Sequence, residues 1–403
     1  MGNYHHTIRR RRVAIFLICY LIPLAFIVAC NTEEPYTPPP PVNLNPLPAD
    51  EMNLVFQSPE YGIHLAQWWD MYALQQDLTR ANEMGFGWVK QHFSWRDIEP
   101  AEKGTYDWWR PDQIVEASTN YNTKLLVRID RAPLWALLAY DEQGIKITEN
   151  QPPAEAQDFF DFCGAIAERY KGKVHAWQVW NEPNLSREWG DLTPDPVAYV
   201  ALLEGCYSAI KTADPDAIVV SAGLAPTGTL PPDAMPDDQF LREMYAAGGA
   251  NFFDVLGLNA PGFKASPEVS PDEAENNPAL DIGNNRRFVF RHVEDMRQIM
   301  VENGDEATQI AILEMGWTTD TRPETGYEWH AVTQEQQAEY LVAAYTYAEE
   351  NWSPWIGLMT TIYYSDVAWT EDNEQYWWAL TDPDGTPRPA YYALQAMRKT
   401  DRK

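Results

Sequence analysis

The 403-residue chain has no cluster of Lys or Arg beyond residue 12, no glycine-rich phosphate loop and no internal repeat, and it carries only four cysteines. Each absence excludes something. Binding a phosphate backbone requires grouped basic side chains to displace counterions, so nucleic acid is excluded as the main partner. The balance of 30 basic to 59 acidic side chains, a net charge of −29, points the same way. Without a phosphate loop or a repeat, the chain lacks the signatures of P-loop proteins and of solenoids or propellers. His64, His175, His292 and His330 show no metal-ligand spacing, and the turn at Asp384-Gly385 lacks the remaining ligands of a calcium loop. No cofactor or metal is therefore expected. What is present is a hydrophobic fraction of 45% with 13% aromatics, which suits a globular chain and not a disordered one. Trp is unusually abundant, at 17 against 14 Phe, more than packing a core requires.

Arg9, Arg10, Arg11 and Arg12 precede an uncharged run from Val13 to Ala29 that ends in Ile27-Val28-Ala29-Cys30. This reads as the charged and apolar regions of an export signal. The last four residues resemble a bacterial lipobox, which implies lipidation of Cys30 and anchoring at the cell surface or periplasmic face. An uncleaved signal anchor is the alternative. Removal of residues 1–29 would leave 26 basic and 59 acidic side chains, a net charge of −33. Residues 30–52 form the lipidated Cys and a Pro-rich spacer, and residues 53–403 the folded domain. The membrane is then a partner only through the anchor, and a monomer is expected. Cys163 and Cys206 fall in amphipathic helical patterns and read as buried thiols, with a disulfide permitted by an oxidising compartment.

From residue 61 the pattern alternates between short apolar runs and longer helical segments. Strands are predicted at 61–65, 88–91, 124–129, 175–180, 218–222, 255–258, 309–313 and 356–363. Helices are predicted near 67–84, 112–120, 154–170, 196–213, 237–247, 286–303, 333–351 and 388–398. Eight such units predict a (β/α)₈ barrel, a single domain with enlarged loops, and a doubly wound sheet is the competitor. The Pro- and Asp-rich segment 261–287 reads as a loop after the sixth strand, over the face where barrels carry their sites.

Functional groups in such barrels sit where strands end. The fourth strand runs through Trp177-Gln178-Val179-Trp180 into Asn181-Glu182-Pro183-Asn184, and the seventh through Ile310-Ala311-Ile312-Leu313 into Glu314-Met315-Gly316-Trp317. Each delivers a Glu at its C-terminal end. Period-two alternation puts Glu314 on the face of Ile310 and Ile312, and Glu182 on that of Gln178 and Trp180, with both pointing to the axis. Two facing carboxyls are what glycosidic bond cleavage needs: one protonates the leaving oxygen while the other acts on the opposite side of the anomeric carbon.

Trp180-Asn181-Glu182-Pro183-Asn184 resembles the strand-four signature of the retaining (β/α)₈ glycoside hydrolases, the superfamily that includes cellulases, xylanases and β-xylosidases. Leu313-Glu314-Met315-Gly316-Trp317 is similar to its strand-seven nucleophile motif. Trp95-Arg96-Asp97-Ile98-Glu99-Pro100 with Gly104-Thr105-Tyr106-Asp107-Trp108 resembles the W-x-x-I-E-P-x-x-G-x-Y-D-W stretch of families 5, 10 and 39. Asp384-Gly385-Thr386-Pro387-Arg388-Pro389-Ala390-Tyr391 is similar to their C-terminal D-G-x-P-K/R-P-A-Y. The resemblance implies hydrolysis of O-glycosidic bonds in β-linked carbohydrate, with Glu182 as acid/base, Glu314 as nucleophile and Asn181 as donor to the sugar 2-hydroxyl. Where many relatives have a His-x-Tyr segment after strand six, this chain has Asn259 and no nearby Tyr.

Several other residues are candidates for contact with a carbohydrate substrate. Trp95, Trp317 and Trp369 are the best-placed indole platforms, with core packing the competing reading for each, and Tyr363 joins them at the end of strand eight. Trp180 reads as packing. Gln91 and His92 end strand two. Arg128 on strand three is placed to favour an ionised Glu314. A non-catalytic carbohydrate receptor, suggested by Asn259 alone, and a transglycosylase using the same Glu pair are the competing functions.

Overall fold

The computed structural model describes residue 44 and residues 47–68, 70–137 and 150–399. The export signal, Cys30, most of the spacer and residues 138–149 of the loop after strand three lie outside the described residues. In chain order the elements are β1 (Glu60–His64), α1 (Leu74–Glu83), β2 (Trp88–Ser94), α2 (Trp95–Ile98), α3 (Trp109–Asn120), β3 (Lys124–Asp130), α4 (Ala156–Arg169), β4 (Ala176–Val179), α5 (Pro196–Ala213) and β5 (Ile218–Val220). They continue as α6 (Asp237–Ala246), β6 (Val255–Pro261), α7 (Pro271–Asn276), α8 (His292–Glu302), β7 (Gln309–Gly316), α9 (Gln334–Asn351), β8 (Ile356–Thr361), α10 (Glu374–Trp378) and α11 (Pro389–Ala396). The strands close as β1-β2-β3-β4-β5-β6-β7-β8, all parallel, with β8 pairing back onto β1. This is the (β/α)₈ barrel, and the doubly wound sheet is excluded.

Strand positions alternate between two apolar environments, which is why the strands read as near-continuous apolar runs. Trp88, Leu126, Ala176, Val220, Val255, Ala311, Leu313 and Leu358 fill the barrel interior, with Phe56 as a plug beneath them. Gln309 fastens that plug: its Oε1 accepts from the Phe56 amide at 2.9 Å and its Nε2 donates to the Phe56 carbonyl at 3.1 Å. The intervening residues, among them Val89, Val127, Val179, Leu256, Ile310 and Ile312, pack outward against the helices. Two residues further along the inward rows, Lys90, Arg128 and Gln178 replace the apolar side chains. A polar layer thus begins just above a dry floor.

Local chemistry shifts several boundaries. The helix expected from residue 67 begins at Leu74, because Asp70 Oδ1 accepts from the amides of Tyr72 and Ala73 at 3.0 and 3.2 Å and turns the chain first. The helix expected from 286 begins at His292. Arg286 is instead spent on Asp272, Glu275 and Asp295, which stitches down the loop after β6. That loop is not structureless: it contains α7 and a small core of Ala265, Ala274, Ile282 and Val289. Cys163 of α4 and Cys206 of α5, read from sequence as thiols, form a disulfide with a Cα separation of 5.5 Å. Spatial neighbourhood decided this, and spacing in the chain does not encode it.

Candidate active site

Glu314 reaches the barrel axis by a route the alternation argument missed. Ile310 and Ile312 face the helices, while Ala311 and Leu313 face inward. In the pairing with β6, Leu258 is opposite Ile312 and Asn259 is opposite Glu314, so β7 carries one extra residue. This bulge lets two consecutive side chains, Leu313 and Glu314, both point in. Glu182 departs from alternation as well. Strand β4 ends at Val179, and Trp180 and Glu182 both take left-handed backbone conformations, with φ of 71° and 39°. Trp180 therefore turns out into the core, its indole N–H donating to the Glu188 carbonyl at 2.9 Å. The Glu182 amide donates to the Gly223 carbonyl at 3.1 Å, which brings its side chain back over the mouth.

The two carboxyls stand in opposite electrostatic settings. Lys90 Nζ lies 2.8 Å from Glu314 Oε1 and also donates to the Leu313 carbonyl at 3.1 Å. Arg128 Nη1 and His64 Nδ1 each approach the same Oε1 to 3.7 Å. Burial alone would raise the Glu314 pKa, but Lys90 and Arg128 outweigh it and hold the carboxyl below its ordinary value. Glu182 accepts one neutral hydrogen bond, from Asn259 Nδ2 at 2.8 Å, and its nearest cation is Arg187 at 3.6 Å. Burial, with help from the charges of Glu188 and Glu314, raises it to about 7. One carboxyl is thus ionised and the other protonated near neutrality, the division acid and nucleophile require.

A second tier fixes the cations. Asp130 takes Arg128 Nε at 3.0 Å and pairs with His92 Nε2. Burial would raise the Asp130 pKa, and His92 and Arg128 reverse that shift. Burial depresses Lys90, and the attraction of Glu314 offsets only part of that shift, so its pKa stays below the ordinary value. Asn259 sits against Gly223, where an added Cβ would come within 2.2 Å of the Asn259 amide oxygen. Only glycine leaves room for that amide to reach Glu182.

Of the other expected residues, Arg128 and Asn259 reach Glu314 and Glu182, Asn181 precedes Glu182 in the chain, and His92 stands behind Arg128 against their shared partner Asp130. Tyr363 and the half-buried Trp369 line the rim of the mouth, their rings 5.6 Å apart, with Tyr363 also 5.3 Å from the His64 ring. Three expectations are corrected. Gln91 points away from the axis and is bonded to Gln67, because 90 and 92 take the inward positions of β2. Trp95 is fully buried, donating to Glu99 at 2.6 Å and stacking on Phe162. Trp317 is fully buried too, its indole donating to the Ala265 carbonyl at 2.9 Å beside Gly262, where a Cβ would meet the ring at 1.8 Å. Neither indole can stack on a sugar. Lys90 and Glu188 are not among the candidates expected from the sequence, where His64 stands only as a histidine without metal-ligand spacing. Lys90 carried a usable signal, a lysine in an apolar strand two residues before His92. Among the described residues no group of three or more His, Cys, Asp or Glu is arranged to hold a metal ion.

The two supporting motifs turn out to be structural. Glu99 bonds Trp95 and the Gly104 amide, closing the loop before α3. Arg388 ties the carbonyls of Tyr376 and Ala379 to Asp382 at 2.6, 3.1 and 2.8 Å and so secures the loop after β8.

No family model and no curated protein matches the sequence. Solved structures share its fold. A family 39 glycoside hydrolase from the gut symbiont Bacteroides cellulosilyticus WH2 superposes with a TM-score of 0.58 at 21% identity, over 87% of this chain and 64% of that one. A family 39 β-xylosidase from Caulobacter crescentus gives 0.58 at 18% identity, over 85% and 70%. A family 10 endoxylanase from a sugarcane soil metagenome gives 0.53 at 14%, over 85% and 98%. The chain therefore shares the barrel fold of these glycoside hydrolases, and it spans about two thirds of the length of the family 39 enzymes.

Proposed function

We propose that the chain is a retaining β-glycosidase that hydrolyses β-linked oligo- or polysaccharide by double displacement. The observation that carries this reading is the pair of strand-end carboxyls with opposite proton affinities. Glu314, held ionised by Lys90 and Arg128, attacks the anomeric carbon while Glu182 passes its proton to the departing oxygen. A glycosyl ester of Glu314 results. Glu182, now a base, deprotonates the incoming water, which releases the sugar with its configuration retained. Asn181 is assigned the 2-hydroxyl contact, and Tyr363 and Trp369 the sugar face. The β-xylosidase and endoxylanase among the similar structures make β-xylosides the first substrates to try.

The test is a panel of aryl β-glycosides, with product stereochemistry followed by proton NMR. The wild type should give first-formed product of retained configuration. Glu314→Gly should lose turnover and regain part of it with azide, which replaces the missing nucleophile. Full activity in that variant, or first-formed product of inverted configuration, refutes the assignment. On substrates with poor leaving groups the rate should fall above about pH 7, as Glu182 loses its proton. We further propose export and lipid anchoring at Cys30, a reading supported by the Ile27–Cys30 sequence and by the Cys163–Cys206 disulfide, which suits an oxidising compartment. Cys30→Ala should abolish labelling by radioactive palmitate.

A further inference from the structure

The acid carboxyl shows which side of the site receives the leaving group. Glu182 Oε1 is engaged by the Asn259 amide at 2.8 Å, so Oε2 is the oxygen free to carry the proton and meet the glycosidic oxygen. Arg187 Nη2 lies 3.6 Å from that Oε2, and Arg187 Nε lies 4.0 Å from Glu188 Oε1. Both separations are too long for hydrogen bonds. Among the described residues no hydrogen bond holds the guanidinium, and the Arg187 side chain is 71% exposed. Its backbone, by contrast, is fixed. In the turn Ser186–Glu188 the Ser186 amide donates to the Asp233 carbonyl and the Trp180 indole to the Glu188 carbonyl, both at 2.9 Å.

A guanidinium on a fixed turn, with its N–H fork unspent and beside the proton-bearing oxygen, is placed to meet whatever hangs from the leaving oxygen. The geometry points to Arg187 as the specificity-determining residue of a leaving-group subsite that takes a neutral sugar, its fork donating to hydroxyls of the departing unit. This rests on the glycosidase reading and deepens it: the substrate is a saccharide cleaved from a saccharide. An apolar aglycone would cover the guanidinium and leave its donors without water or partner. A carboxylate is no better suited. Glu188 and Glu374, with Glu182, already compensate the single charge of Arg187, so a further anion would find it spent. From the far side of the mouth, Tyr327 of the loop after β7 and Glu374 of α10 pair with each other within electrostatic reach of Arg187. Glu374 thus offers an acceptor opposite the fork. Donor and acceptor together match neighbouring sugar hydroxyls, each of which both gives and takes a hydrogen bond.

The test isolates binding on the leaving-group side. A dinitrophenyl 2-deoxy-2-fluoro-β-xyloside, or the same derivative of the sugar the panel selects, should trap the glycosyl ester of Glu314. In the trapped enzyme an acceptor hydroxyl replaces the Glu314 carboxylate at the anomeric carbon and gives its proton to Glu182, so reactivation reports occupancy of the leaving-group subsite. With methyl β-xyloside as acceptor, the wild-type reactivation rate should saturate. In Arg187→Met the half-saturating concentration should rise about tenfold or more, the usual loss for a hydrogen bond from a charged donor. Arg187→Lys, which keeps the charge without the fork, should recover only part of this. Half-saturation is the quantity to read, because a changed proton affinity at Glu182 alters the limiting rate. Methyl β-glucuronide should serve no better than methyl β-glucoside, its neutral counterpart. A linear dependence on acceptor in the wild type, or an unchanged half-saturating concentration in Arg187→Met, overturns the subsite. A preference for the glucuronide overturns its neutral character. A chain that no fluoroglycoside of the panel inactivates refutes the glycosidase reading itself, and the subsite falls with it.

Discussion

Replacing Lys90 with Met keeps most of the side-chain volume in the barrel and removes its charge. In the native site Nζ lies 2.8 Å from Glu314 Oε1, with Arg128 Nη1 next at 3.7 Å. At an effective dielectric of about 20 these separations correspond to roughly 6 and 4.5 kcal/mol, so Lys90 supplies more than half of the attraction that offsets burial of the carboxylate. A single opposite charge within reach moves a carboxyl pKa by about one to three units, less than the bare Coulomb figure because the charge is itself desolvated. The acidic limb of kcat/KM should therefore move up by about one to three pH units in Lys90→Met. Dinitrophenyl glycosides are the right substrates, since they do not depend on the Glu182 proton and leave the acidic limb in isolation. One pH unit below the displaced limb, turnover should be about tenfold under its plateau. At pH 8 most of the rate should return. Lys90→Arg should keep the limb near its native position. The Leu313 carbonyl also loses its partner, so about 1–3 kcal/mol of stability should go as well, and a thermal melt controls for that. A folded Lys90→Met enzyme with an unmoved acidic limb would refute the electrostatic account of Glu314.

Other consequences can be checked more simply. The Cys163–Cys206 bridge closes a 43-residue loop, for which chain entropy gives about 4 kcal/mol, so the double Ala variant should show a clearly lower urea midpoint than the oxidised wild type, by an amount reduced if native strain is relieved. His292, buried between Asp237 and Asp295, is lowered by burial but raised more by the two carboxylates, to about 10. Its contribution, at most about 5 kcal/mol, is complete below its ordinary value of 6.5 and disappears as pH rises through about 10. His292→Asn should flatten the wild-type loss of stability across that window in urea titrations. Trp95→Ala should cost about 3–5 kcal/mol, lowering the melting temperature, whereas Trp369→Ala should leave the melt nearly unchanged and raise KM. The reverse pattern would mean that the sugar-facing rim has been misassigned.

The barrel was legible because parallel strands buried on both faces leave short apolar runs between helical segments, and all eight runs were in the right place. The two glutamates were legible because strands end where polarity begins. Their orientation was not. The bulge at Leu313 and the left-handed turn at Trp180 both break the period of two, and neither leaves a mark in the amino-acid pattern. The indole assignments fail for a related reason: Trp95 and Trp317 follow strand ends closely, but position along the chain says nothing about radial direction. Lys90 lies inside β2 and not at its end, where the inward row has already turned polar, so a pattern of strand ends alone does not reveal it. The disulfide depends on how α4 packs on α5, a distance with no local signature.

Asn259 has one further implication. Its backbone sits opposite Glu314 in the sheet, and its side chain grips Glu182. The gauge between the two carboxyls is therefore set by adjoining hydrogen-bonded strands, like two jaws mounted on one frame, while the long loops ride above it. Fluctuation or replacement of those loops should alter which sugars enter and how fast they leave, with little effect on the spacing of the reacting groups. For an engineer, the loops after β6, β7 and β8 are the parts to exchange, and Asn259 with its Gly223 neighbour is the mount to leave untouched.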